Sequence, residues 1–339
     1  MTWVVRTILL FALALLASTV VRAVDVEFSE PASLRADAFE LKLSALGANE
    51  IRFTLDGSAP GANRGEVYSA PIRIESTTVV RAQASGEGAA KGRVVTRSYI
   101  FPQRVSAQTE NPVGYPARFV SERHGTARPH VFDYAMDLSV VSGAKKVEKL
   151  SRALLALPTL SVALERDEFA EIYLAHRARG PLTERAASIE LIYPPSKLYE
   201  SFRGFQVDCG LRMQGGLAVD QARKKSFRLR FKKRYGPGKL RYPFFESAVH
   251  HASTAADSFE GLVLRAGGNA NWSKDLAYKT NATTYLRDQL MRDTSIEVSG
   301  LGARGIYVHL YVNGFYFGIY NATERPDARF LASYLGGSE

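Results

Sequence analysis

The sequence predicts an α+β protein in which an all-β unit precedes a mainly antiparallel sheet carrying one prominent helix. Short apolar–polar alternations separated by turn residues fill residues 24–103. A basic strand and a C-terminal hairpin repeat the period-two pattern beyond residue 200, and between them Thr283 to Asp293 repeats with helical spacing. At 339 residues the chain can hold two or three cores, and 46% hydrophobic and 23% charged residues are ordinary for a globular protein.

Residues 1–23 stand apart. Arg6 precedes an apolar run from Ile8 to Leu16 that continues to Val21, and Val21-Arg22-Ala23 has the small residues of a processing site. This is the layout of a secretory signal peptide cleaved after Ala23. It places the mature protein in a secreted, periplasmic or cell-envelope setting, expected to be bacterial. No second apolar segment approaches spanning length, so no membrane span is expected after cleavage. Cys209 is the single cysteine, which excludes an internal disulfide and a cysteine-based metal cage. The net charge of +10 and pI near 9.6 favour anionic partners, and export argues against nucleic acid.

The first unit, 24–103, reads as a small sandwich. Phe39, Leu41 and Leu43 alternate with polar residues, as do Ile51, Phe53 and Leu55, before an Asp56-Gly57-Ser58 turn. Ile72 and Ile74 follow Pro71, and Thr78 to Ala84 and Val94 to Phe101 are extended. Asp56 reads as a turn residue bonding its own backbone, not as a catalytic acid. The strings Ile51-Arg52-Phe53-Thr54-Leu55-Asp56-Gly57-Ser58-Ala59-Pro60, Tyr68-Ser69-Ala70-Pro71-Ile72 and Thr77 to Ala82 resemble the chitobiase/hexosaminidase C-terminal-type module, a fibronectin-III-like sandwich. The resemblance implies an accessory role, with spacing or glycan contact as options.

Residues 104–156 form a connector. Tyr115, Phe119, Val131, Phe132 and Tyr134 are too apolar for a solvated tether, and Lys145 to Ala156 has amphipathic helical spacing. From Leu157 a strand, a short helix opening at Asp167 and a strand from Ser188 to Tyr193 follow. Phe227, Leu229 and Phe231 alternate with Arg228, Arg230 and Lys232, which predicts one apolar and one basic face. Leu286 and Leu290 share a helix face, with Asp288 and Arg292 paired at i,i+4. Ile306 to Val312 and Phe315 to Tyr320 flank Asn313-Gly314, a type I′ hairpin in which His309 is a packing residue.

The densest charge runs from Arg223 to Arg234, just after Arg212-Met213-Gln214-Gly215-Gly216. A glycine turn admits an anion to backbone amides and the cations supply countercharge, but the spacing is neither a Walker loop nor a kinase glycine loop, and composition alone favours a solvated basic strand face over a phosphate cradle. No metal-ligand set stands out, and no carboxylate pair suits a glycoside hydrolase.

Five ordered strings resemble the CotH kinase family (spore coat protein CotH-like): Leu211 to Gly216 with Arg223 to Lys232, Leu262 to Asn269, Tyr285 to Asp293, Val308 to Asn321, and Thr323-Glu324-Arg325-Pro326-Asp327. The resemblance covers 157–339 and implies part of an atypical kinase fold, an N-lobe only. It implies ATP, a divalent cation such as Mg, and transfer to exported or envelope proteins. It also implies that Arg212, Gln214, the Gly215-Gly216 turn and Lys225 lie near nucleotide phosphates, with Lys224 and Arg223 as adjacent substitutes for Lys225. The helix holding Asp288 would steady the phosphate lysine, and Glu324 would fall at the lobe crossing near adenine. In the family the catalytic and metal-binding carboxylates follow the Glu-Arg-x-Asp segment, so they are expected beyond Glu339 and the chain is expected to be truncated and inactive. The alternative is a non-catalytic exported module that binds glycan or a partner protein.

Overall fold

The computed structural model describes residues 24–337 apart from 87–90, 124–125, 175–182, 217–218, 220–221 and 269–283. The signal-like segment, most of the loop after Gly216, and Thr283 lie outside the described residues. No described helix is long and apolar enough to cross a membrane.

The N-terminal unit is built from two β-layers. One is a five-stranded sheet in the order Ser33–Leu34, Val95–Ile100, Thr78–Ser85, Glu50–Thr54, Glu66–Val67. The other comprises the pairs Phe39–Leu41 with Ile72–Ile74 and Glu27–Phe28 with Leu43–Ser44. Alternation turns Leu41, Phe53, Ile72, Ile74, Val80, Ala82 and Tyr99 into one core. Asp56 closes its turn by accepting hydrogen bonds from Ser58 N at 3.0 Å and Ser58 Oγ at 2.6 Å.

The second unit is a closed seven-stranded barrel. Its strands are β1 (Thr159–Ala163), β2 (Arg185–Ile192), β3 (Phe205–Gln214), β4 (Ser226–Arg230), β5 (Gly261–Arg265), β6 (Gly305–Val312) and β7 (Phe315–Thr323). They run in the order β1-β2-β3-β4-β5-β7-β6. Neighbours are antiparallel except at the closing seam, where β1 pairs parallel with β6 through Thr159–His309 to Val162–Val312. The sequence pattern predicted the antiparallel strands; the parallel seam, made between segments far apart in the chain, turns the sheet into a barrel. Leu160, Ile189, Cys209, Leu211, Phe227, Leu229, Leu264, Val308, Leu310 and Tyr320 fill the interior. Asn313 (φ 46°) and Gly314 (φ 79°) make the expected turn between β6 and β7.

The connector caps this barrel. The hairpin Arg118–Arg123 with Thr126–Val131 brings Phe119 and Phe132 into the barrel core, with Tyr115 and Tyr134 packed beside them. Helix α1 (Ala144–Ala153) lies near the seam, where His309 contacts Ala153 O and Tyr316 Oη, each at 3.0 Å. Helix α2 (Arg166–Leu174) buries Phe169, Ile172 and Tyr173. Helix α3 (Arg287–Ser299) and helix α4 (Ala328–Leu335) complete the unit.

Helix α3 departs from the expected packing. Leu286 and Leu290 are 58% and 63% exposed, so the apolar stripe does not face the barrel. Polar contacts hold the helix instead. Arg292 reaches Gln289 at 2.7 Å and also bonds Asn321 of β7, while Ile296 supplies the buried contact.

The two units meet closely. Asn313 Oδ1 accepts from Leu164 N at 2.9 Å, and a Cβ on Gly57 would fall 2.5 Å from that oxygen, so only glycine fits there. Ala59 N donates to Glu165 at 2.8 Å, and Ser98 Oγ lies 2.8 Å from Ser161 Oγ. Glu190, pointing outward from β2 into this contact, is only 1% exposed, and its nearest cation is Arg97 at 3.7 Å. Burial pushes its pKa from 4.5 up to about 7, which Ser98 and Arg97 offset only in part. Such an acid keeps a proton in the fold that the unfolded chain releases, so stability falls as pH rises from 4.5 to about 7. The loss is on the order of 3 kcal/mol. In urea denaturation we expect Glu190→Gln to match the native chain near the bottom of that window and to exceed it at pH 8. Parallel pH profiles of the two chains would contradict this.

Candidate functional site

Barrel closure gives each strand an inner and an outer side, and the outer wall of β3, β4, β5 and β7 gathers charge. Phe227 and Leu229 point in, so Arg228 and Arg230 point out. On β3, Leu211 points in and Arg212 out, directly opposite Arg228 in the register, while Arg230 stands opposite Gly210. Like charges facing each other across two strands repel. Arg228 is nevertheless buried, and the Nε atoms of Arg212, Arg228 and Arg230 are buried without a hydrogen-bond partner among the described residues. Burial first, then Arg230, Arg325 and Arg212, push the Arg228 pKa down to about 10, against the pull of Asp327 at 3.6 Å.

The rest of the basic run is spent differently. Lys232 and Arg234 both bond the buried Glu184 carboxylate, at 2.8 and 2.6 Å. Lys224 donates to Ile319 O at 2.6 Å and Tyr285 Oη at 3.0 Å. Lys225 shares the inward parity of Phe227. It is 1% exposed, donates to Tyr173 O at 2.7 Å and sits over the rings of Phe119 and Tyr173.

Farther along the same outer wall Arg265, the last residue of β5, meets Asp288 in the first turn of α3 at 2.8 Å. Asp288 also bonds Arg292 one turn on. The wall is continuous, because Ser226 Oγ accepts from Ala266 N at 2.9 Å. At its lower end Glu324 is buried and its pKa is raised by that burial. Its oxygens accept from Arg304 N at 2.8 Å and Tyr334 Oη at 2.6 Å, tying β7 to β6 and α4. Asp327 caps α4 by accepting from Phe330 N at 3.3 Å and pairs with Arg325 at 2.8 Å. Arg228, Glu260, Glu324, Arg325 and Asp327 line a small polar cleft at this end.

The structure therefore divides the residues singled out from sequence. Arg212, Asp288 and Glu324 belong to one outer surface or its edge. Gln214 ends β3 opposite Ser226, and Gly215 (φ 132°) and Gly216 follow as exposed residues, after which 217–218 lie outside those described. Lys225 stands on the other side of the wall, and the acid of α3 meets Arg265 in its stead. Arg228 and Arg230 were named only as members of the basic run, and Arg265 was not singled out. Alternation with Phe227 and Leu229 gave the facing of the first two, but the partner of Arg265 depends on where a helix more than 20 residues later returns to the sheet.

Chemically, three guanidinium groups with unmet donors form a site for a phosphate-like anion, whose oxygens match their planar geometry. Among the described residues no three His, Cys, Asp or Glu side chains stand together to hold a metal. For Lys225, truncation would leave an aromatic-lined void and remove its hydrogen bond to the Tyr173 carbonyl. We expect Lys225→Ala to lower unfolding free energy by about 2–4 kcal/mol, measured by chemical denaturation, with Lys225→Met less damaging. Unchanged stability in the alanine variant would contradict the packing role.

Residues 211–339 match the family model described as CotH kinase protein, and residues 39–99 match the one described as Fn3 associated. The former begins within β3 and takes in the whole outer wall; the latter covers most of the sandwich. No curated protein matches the chain. The chain carries a CotH kinase family domain, preceded by an Fn3-associated module.

Proposed function

We propose that this kinase-like protein binds ATP on the outer barrel wall and serves phosphoryl transfer to exported or cell-envelope proteins. The Arg265–Asp288 pair carries the reading. It joins the strand before α3 to the first turn of that helix, and α3 then leads into β6 and β7, with β7 lying between β5 and β6. Protein kinases pair a strand lysine with a helix glutamate in the same strand–helix connection, and their phosphoryl transfer depends on that pair. Here arginine and aspartate occupy the two positions. Arginine keeps its charge and adds a planar fork, so the strand end can hold a phosphate oxygen while Asp288 fixes its direction.

In this reading Arg212, Arg228 and Arg230 take the phosphates, and their unmet Nε donors are satisfied when nucleotide is present. Glu324 sets the edge of the wall through Arg304 and Tyr334, and does not itself contact the phosphates. The described residues suit the nucleotide anion, and no step is assigned to a metal ion. An exported or envelope substrate accords with the signal-like N-terminal sequence and the appended sandwich. The transfer step would be followed as ATP-dependent labelling of such proteins.

Fluorescence titration of the full chain with N-methylanthraniloyl-ATP tests the binding surface. Replacing Arg228 by Met should weaken binding by about tenfold or more, since hydrogen bonds to charged groups contribute roughly 1.5–3 kcal/mol. Lys233→Met, which removes a positive charge from the neighbouring surface, should change it little. Wild-type affinity in Arg228→Met, or no binding by the native chain, would overturn the proposal.

A further inference from the structure

A second cavity of about 870 Å³ opens on the upper part of the barrel, between connector residues 132–136, the start of β7 and the entry to α3. Its size is that of a small-molecule site. The walls carry many tyrosines, yet their hydroxyls are turned away. Tyr134 donates to Pro116 O, Tyr173 to Arg223 O, Tyr307 to Tyr285 O and Tyr320 to Lys225 O, at 2.8 to 3.0 Å. Tyr285 donates to Ile319 O, and Tyr316 bonds His309. What these residues offer a ligand is ring surface, joined by Phe132, Met136, Leu157 and Phe317. Asp133 is occupied with the amide of Ala135, and Gln108 with backbone groups of Tyr134 and Tyr316.

Asp133, Arg223 and Lys224 are the charged residues of this lining. Lys224 lies in the wall with its Nζ 4.6 Å from the ring centre of Tyr320 and 5.3 Å from that of Tyr285. No carboxylate pairs with it among the described residues. Two of the three hydrogens of an ammonium are taken, by Ile319 O and Tyr285 Oη, which leaves one donor. An unpaired cation in apolar surroundings is costly, and burial accordingly pushes the Lys224 pKa down to about 7. An anionic oxygen on Lys224 would relieve that cost.

We propose that this cavity binds an apolar carboxylic acid of the fatty-acid type, its chain along the aromatic walls and its carboxylate on Lys224. The site lies apart from the arginine surface and uses none of its residues. Because Thr284 to Leu286 lead directly into α3, the ligand would rest two residues from Asp288.

The test is displacement of a dansyl-labelled fatty acid from the full chain by dodecanoate, dodecanol and ATP. Dodecanoate should displace it at about tenfold lower concentration than dodecanol, the difference a charge-assisted hydrogen bond supplies. Lys224→Met, with its fold checked by circular dichroism, should erase that preference while N-methylanthraniloyl-ATP still binds. Lys224→Arg should keep the preference, and it decides the matter should the methionine variant fail to fold. Equal potency of dodecanoate and dodecanol on the native chain, a preference surviving in Lys224→Met, or loss of it in Lys224→Arg would overturn the proposal. So would absence of probe binding, or displacement by ATP as effective as by dodecanoate, which would place the nucleotide here.

Discussion

Parallel pairing of Thr159–Val162 with His309–Val312 joins the first strand of the barrel to one nearly 150 residues later. Once that seam exists, every strand has an inner side that must be apolar and an outer side free to carry charge. Phe227 and Leu229 are committed to the core, so Arg228 and Arg230 are forced onto a shared outer wall with Arg212. Their mutual repulsion, unrelieved by any acceptor for three Nε atoms among the described residues, follows from strand parity and register. The same parity sends Lys225 inward, where aromatic rings and the Tyr173 carbonyl hold it. A basic run that looks uniform in sequence is thus sorted into packing, neutralised and uncompensated cations.

The uncompensated cations give the domain its chemical character. Burying like charges side by side weakens a fold unless something anionic repays the desolvation. Glu184 does this for Lys232 and Arg234, and Asp288 does it for Arg265 and Arg292. Among the described residues Arg228 has the more distant Asp327. In the proposed reading this asymmetry assigns the anion to the ground between β3 and β4, next to the strand–helix ion pair. Lys224 offers a separate capacity, as a cation in aromatic surroundings.

Much of the fold was legible in the sequence because period-two alternation marks strands directly. The sandwich strands, the Asp56 turn, the apolar and basic faces of β4 and the Asn313-Gly314 hairpin all followed from it. Helix α3 was legible in type but not in packing: Leu286 and Leu290 suggested an apolar contact, whereas Arg292, Gln289 and Asn321 make the actual one. For the site, Arg212 and Asp288 could be picked out, but the choice of Lys225 could not be refined. Adjacent residues on a strand face opposite sides, and nothing in Lys224-Lys225 itself says where the strand parity begins. Arg265 was hidden for another reason, because its partner arrives only when the intervening chain has folded.

The central claim is that nucleotide lies on the outer wall formed by β3, β4, β5 and α3. Photocrosslinking with 8-azido-ATP, followed by peptide mapping of the full chain, tests it most directly. Label on peptides containing Arg212, Arg228 to Arg230 or Arg265, suppressed by excess ATP, is the expected result. ATP-suppressible label confined to residues 132–136 and 316–320, or to the sandwich, would contradict the account.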